Sequence, residues 1–166
     1  MKRHPSIVNE ATLVWNEHNH TERFSCRRKA LSADGRGEQI GCSMYEVQPG
    51  KTAFPFHFHW ANEETIYILS GHGSLRLGEQ EFAVAAGDYI ALPTGPDHAH
   101  QLIGKGEQPL RYLCFSTMQS PEVCEYPDSD KVGALAGSAP GSKEGRKLTS
   151  FHRKSDNVPY FEGEDA

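Results

Sequence analysis

Turn chemistry recurs through the middle of this chain with little room between one turn and the next. "ADGRGE", "PG", "SGHG", "LGEQ", "AAGD", "PTGPD" and "GKGEQP" follow one another between residues 33 and 109. Gly, Pro, Asn and Asp favour turns because they supply unusual φ values or local hydrogen bonds. Segments this short cannot be sizeable helices, and no long stretch shows a 3.6-residue apolar period. The segments themselves are rich in β-branched and aromatic residues. They read as strands over Arg23–Leu31, Ile40–Gln48, Ala53–His59, Glu64–Leu69, Gly73–Leu77, Glu81–Ala85, Tyr89–Leu92, His98–Ile103 and Leu110–Thr117. Many short strands joined by tight turns predict an all-β antiparallel sandwich or barrel.

One of these strands has an unusual composition. In "FPFHFHWANEETIYILSG", residues 54 to 71, two histidines interrupt an aromatic run and two glutamates follow. Strand residues i and i+2 face the same way. His57 and His59 therefore share one face, while Phe56, Phe58 and Trp60 share the other. The two imidazoles point together and form a usable chelating pair. Glu64 opens the next strand on the face of Ile66 and Ile68, where an antiparallel partner brings its carboxylate toward the imidazoles. An isolated H-x-H pair is more often two solvated histidines. Here a glutamate, a Gly71 turn and a second histidine-bearing strand stand in the right order for a four-ligand site.

These residues resemble the two motifs of the cupins. The first motif matches Gly50, His57, His59, Glu64 and Gly71, with one extra residue between Gly50 and His57. Glu63 fits a shorter variant of the motif but leaves too many residues before Gly71. The second motif matches Gly87, Pro93 and Gly95 in "GDYIALPTGPDHAHQLIG", and then offers two histidines. His98 has the family's spacing from Gly95. His100 comes two residues later, but "HQLIG" then ends on Gly104, where the family has asparagine. His100 is taken as the fourth ligand, with His98 as the alternative. "NEETIYILSGHGSLRLG", "LRYLCFST" and "EYPDSDKVG" extend the likeness to small single-domain bacterial cupins of a sugar-phosphate-isomerase-like subgroup.

The resemblance implies a double-stranded β-helix, the jelly-roll cupin barrel, with its core over about residues 38–118 of a single domain spanning 1–166. N-terminal strands within 1–37 and an extended C-terminal loop or tail over 119–166 are expected around it. It also implies one divalent transition metal held by His57, His59, Glu64 and His100. A mixed N/O ligand set suits Mn, Fe, Ni, Co, Cu or Zn and selects weakly among them. The fold does not choose the function. A metal-dependent enzyme of isomerase type, acting on a sugar, sugar phosphate or keto acid, is the first reading. An Fe or Mn dioxygenase and a non-catalytic small-molecule binding module are the alternatives.

No catalytic residue is assigned beyond the ligands. Tyr67, Tyr89 and His72 are candidate acid–base groups whose commoner role is packing or surface. Arg76 and Arg111 are candidates for reading a carboxylate or phosphate. Trp15 and Phe24 are expected to close a barrel end or join an interface, and a homodimer is expected. Tyr160 and Phe161 are expected to dock back on the barrel.

Composition narrows the partners. A net charge of −5 gives no broad basic field, which disfavours nucleic acid. No apolar run has the length of a membrane span, and the start "MKRHPSIVNEATLVW" lacks a signal-peptide core. A cytoplasmic protein with a small-molecule substrate is expected. Cys26, Cys42, Cys114 and Cys124 lack C-x-x-C spacing and are expected to be reduced, structural thiols.

Overall fold

The computed structural model describes residues 3–34, 36–141 and 144–164. Its strands are β1 (Asn16–Asn19), β2 (Ser25–Lys29), β3 (Ile40–Val47), β4 (Phe58–His59), β5 (Glu64–Ser70), β6 (His72–Leu77), β7 (Gln80–Ala85), β8 (Tyr89–Leu92), β9 (His100–Lys105), β10 (Leu110–Thr117), β11 (Glu122–Tyr126), β12 (Lys131–Ala136) and β13 (Leu148–Arg153). All ladders between these strands are antiparallel.

One layer is the six-stranded sheet β1-β2-β3-β10-β5-β8. The other is built from the sheets β13-β12-β11-β4 and β7-β6-β9. A bridge between His57 and His100 links these two, with main-chain hydrogen bonds of 3.1 and 2.8 Å. The histidines thus lie where the second layer is stitched together.

Alternation decides what lies between the layers. Ile66 and Ile68 of β5 are buried, whereas Tyr67 and Leu69 are 42% and 38% exposed on the outer face. Tyr45, Val47, Leu110 and Tyr112 enter the core from the first layer, and Leu75, Val84 and Leu102 from the second. Phe56, Phe58 and Ala99 make a separate small cluster. The expected aromatic face is therefore divided. Phe56 and Phe58 are buried, while Trp60 is half exposed and meets Phe58 edge-on.

Trp15 covers the outer face of β2, β3 and β10. The cationic groups of Lys29, Arg27 and Arg111 lie 4.6, 4.7 and 5.8 Å from its ring, a packing that joins cation–π attraction to burial of the side-chain stems.

Two expectations fail. The segment from 119 onward is no extended loop or tail, because β11, β12 and β13 pair through it and β11 joins the barrel against β4. Its Gly- and Ser-rich composition conceals the alternation of "EVCEY" and "KVGALA". Tyr160 and Phe161 pack on each other but stay 89% and 71% exposed, so this pair does not dock on the barrel.

Candidate metal centre

His57 forms the bridge to β9, His59 ends β4, Glu64 begins β5, and His100 begins β9. Glu64 pairs with Leu92 and Ser116 of the neighbouring strands, which fixes its side chain inside the barrel. The four side chains converge. Glu64 Oε2 lies 3.5 Å from both His59 Nε2 and His100 Nε2. Ligand atoms of His57, His59 and Glu64 all lie within 4.8 Å of one another. The His57 ring is centred 5.0 Å from that of His59 and 4.7 Å from that of His100.

The outward-facing nitrogens are held in turn. His57 Nδ1 donates to the Pro55 carbonyl at 2.8 Å, and His100 Nδ1 to the His98 carbonyl at 2.9 Å. These bonds fix the tautomer and leave each Nε2 with a free lone pair facing its neighbours. His59 Nε2 is buried and makes no hydrogen bond. A buried polar atom without a partner is costly, so a cation among these atoms fits the residues present.

Electrostatics agree with this arrangement. Burial and the neighbouring rings of His100 and His59 push the His57 pKa down to about 3, so that ring is neutral. Burial alone would raise the Glu64 pKa, but His100 and His59 outweigh it and hold the carboxyl well below the usual range. For His59 burial opposes the charge, yet Cys124, Glu122 and Glu64 together push its pKa up.

The structure places His100 in this cluster. His98 sits in the preceding 3-10 turn Pro96–His98, where its main-chain carbonyl orients the His100 ring. The family's asparagine position, Gly104, has a local reason for its departure. A Cβ there would come within 2.6 Å of the Gln48 carbonyl, because Gly50 and Lys51 bond directly to the Gly104 main chain.

Of the remaining candidates, Tyr67 and Tyr89 are exposed on the outer face, and His72 is exposed at the start of β6. Arg76 is bound by both Asp128 oxygens at 3.0 and 2.8 Å and lies over the Phe56 ring. Arg111 faces Glu46 and Glu10. The four cysteines carry free thiols.

Glu122 is the residue that sequence reasoning missed. It is 1% exposed and accepts main-chain hydrogen bonds from Trp60, Ala61, Asn62 and Val123. The Asn62 side chain donates to the same carboxylate. Its Oε2 also lies 3.3 Å from His59 Nδ1, as does Cys124 Sγ. His59, Glu122 and Cys124 lie close enough to suggest a second cation position. With both Glu122 oxygens already accepting N–H groups, the carboxylate acts instead as the anchor of the loop after His59. The signal was the alternation Glu122, Cys124, Tyr126 along "EVCEY", which puts all three on one face.

A small cavity adjoins the ligand atoms. Phe54, Ile66, Leu102 and Tyr112 line it opposite His57, Glu64 and His100. Cys114 closes it, with Sγ 3.8 Å from Glu64 Oε1.

The cupin domain's family profile matches residues 43–116, which hold both histidine-bearing segments. Residues 43–116 are a cupin domain. A second likeness is to the uncharacterized protein MJ1618 of Methanocaldococcus jannaschii, 40% identical over 60 residues, 36% of this chain and 46% of that protein. A third is to the quercetin 2,3-dioxygenase of Bacillus subtilis, 29% identical over 85 residues, 49% of this chain and 25% of that enzyme. The chain thus spans less than half the length of either curated relative in these matches. Among solved structures it resembles a cupin-superfamily sugar phosphate isomerase of Silicibacter pomeroyi DSS-3. The TM-score is 0.76 at 20% identity, over 90% of this chain and 94% of that one. At that identity the likeness establishes the jelly-roll cupin fold expected from the sequence.

Proposed function

We propose that this cupin binds one divalent transition metal through His57, His59, Glu64 and His100 and uses it as a small-molecule enzyme of isomerase type. Its substrate class is a sugar, a sugar phosphate or a keto acid. The observation that carries the proposal is the convergence of imidazole Nε2 atoms on one Glu64 oxygen, with the Nδ1 atoms of His57 and His100 tied to carbonyls. When bound, such a metal polarises a carbonyl or acidifies a bound hydroxyl, whichever of the suited ions occupies the site.

The chain's own residues complete the site. The Cys114 thiol donates toward Glu64 Oε1, which turns Oε2 to the imidazoles. Burial raises the Tyr112 pKa well above normal, so its phenol stays protonated and serves as a donor rather than a base. Phe54, Ile66 and Leu102 give the cavity an apolar wall beside the ligand atoms. The isomerase direction is taken from the Silicibacter relative's name. The match to quercetin 2,3-dioxygenase supports a second reading, oxygen chemistry on an enol or catechol at the same ligands.

Aldose–ketose interconversion and O₂ uptake, assayed on protein loaded in turn with Mn, Fe, Co, Ni, Cu and Zn, separate the two. Turnover without O₂ consumption, abolished by Glu64→Ala, is expected. O₂ uptake with a catechol or flavonol substrate transfers the assignment to the dioxygenase, and tight binding without turnover to a binding module. A homodimer belongs to the same proposal, since Tyr67, Leu69 and Tyr89 leave apolar surface on the outer face of β5 and β8. Light scattering of the purified protein measures it, and a monomer mass contradicts it.

A further inference from the structure

The two arginines singled out in the sequence as anion readers are already engaged. Arg76 is neutralised by Asp128, and Arg111 faces Glu46 and Glu10. Arg28 differs. No carboxylate among the described residues lies within 4.0 Å of it. It shares the inner face of β2 with the core residue Cys26 and pairs with Tyr45 of β3. The guanidinium is half-buried, with its carbon 5.9 Å from the Tyr45 ring.

Neutral partners orient it without cancelling its charge. Nε donates to Ser43 Oγ at 2.9 Å, and Nη2 donates to the Gly141 carbonyl at 3.3 Å. Nη1 makes no hydrogen bond among the described residues.

Two short routes join Arg28 to the metal centre. Ser43 stands opposite Cys114 in the β3–β10 register, and Cys114 lines the cavity beside Glu64 Oε1. Tyr45 packs on Tyr112 at 5.3 Å and on Phe54 at 5.5 Å, and both line the same cavity. Arg28 therefore lies one side-chain layer from the cavity. A half-buried guanidinium with no carboxylate among the described residues, pre-oriented one side-chain layer from a ligand cavity, is suited to bidentate capture of a carboxylate or phosphate.

We propose that Arg28 is the anion-binding residue of this cupin. The substrate then carries a phosphate or carboxylate a few bonds from the oxygens that reach the cluster of His57, His59, Glu64 and His100. The inference rests on the metal-dependent reading for the position of those oxygens, but its charge preference is measured separately.

Three matched probes test it. Dihydroxyacetone is neutral, dihydroxyacetone phosphate adds a phosphate, and hydroxypyruvate replaces a hydroxymethyl with a carboxylate. Dissociation constants are measured by calorimetry on metal-loaded wild type, Arg28→Lys, Arg28→Met and Arg23→Met, with metal content determined in parallel. Arg23 is the control, since it also has no carboxylate partner among the described residues but is exposed and donates to Gln101. Wild type is expected to bind one charged probe about 10- to 100-fold more tightly than the neutral one, as a charge-assisted pair provides. Which probe gains identifies phosphate or carboxylate. Arg28→Met should remove that advantage and Arg28→Lys keep part of it, with metal content equal in all four proteins. An advantage that survives in Arg28→Met, or is lost in Arg23→Met instead, overturns the assignment, as does no preference in wild type. A preference that depends on Arg28 in protein unable to hold metal sinks the metal-dependent reading and leaves this one standing.

Discussion

Glu122 gathers more hydrogen bonds than any of the four proposed ligands, and its removal leaves the main-chain donors of Ala61 and Asn62 without their acceptor, while Trp60 keeps the Val123 carbonyl. Unsatisfied buried donors cost about 1–3 kcal/mol each. Glu122→Ala is therefore expected to destabilise the fold by more than about 3 kcal/mol in urea unfolding. Burial alone would raise this carboxyl's pKa, but His59, Asn62 and Ala61 hold it below the ordinary value. A depressed carboxylate stabilises above the unfolded pKa and loses that contribution as pH falls through the folded one. The stability gap between wild type and Glu122→Gln should thus be largest near neutral pH and narrow toward acid, and a constant gap contradicts the assignment. Burial opposes a charge on His59, but Cys124, Glu122 and Glu64 together push its pKa up, so metal uptake should release a proton. Calorimetry in buffers of different ionisation enthalpy is expected to find that proton, with metal affinity rising as pH rises. The ligand residues were legible because H-x-H and a following glutamate lie close together in sequence. Glu122 reaches His59 across 63 residues, and no local pattern announces such a contact.

Strands β2 to β10 were legible because turn residues bracket each one and apolar alternation fills the interval. The choice between His98 and His100 was not settled by counting, since Pro96–His98 forms a 3-10 turn that absorbs the extra residues before β9. Strands β11, β12 and β13 escaped notice because Gly133, Gly137, Ser120 and the charged residues among them resemble a linker, while their order comes from pairing with β4. Two predictions belong to these elements. Ending the chain after Gln119 removes Glu122 together with the partner of β4, so the truncated protein should lose both metal and cooperative unfolding. Gly104→Asn restores the family's residue yet drives a Cβ toward the Gln48 carbonyl. It should destabilise the protein by about 1–3 kcal/mol in denaturant unfolding, as overpacking does. A neutral result would mean that the Gln48–Lys51 turn yields.

The molecule as a whole is two β layers around an apolar core, with the polar ligand cluster where the second layer is joined between His57 and His100. Binary patterning exposed the layers, but their strand order depends on non-local pairing that composition does not encode. Tyr160 and Phe161 lie outside this framework. Removing residues 157–166 is expected to change stability by no more than about 0.5 kcal/mol, the range typical of surface changes.

Metal analysis of the purified protein, wild type against His98→Ala and His100→Ala, tests the proposed centre most directly. Wild type and His98→Ala should each hold one equivalent of a divalent transition metal, and His100→Ala should lose most of it. A His100→Ala protein that keeps its metal while His98→Ala loses it, or a wild type that takes up none of the six candidate metals, would contradict the ligand set.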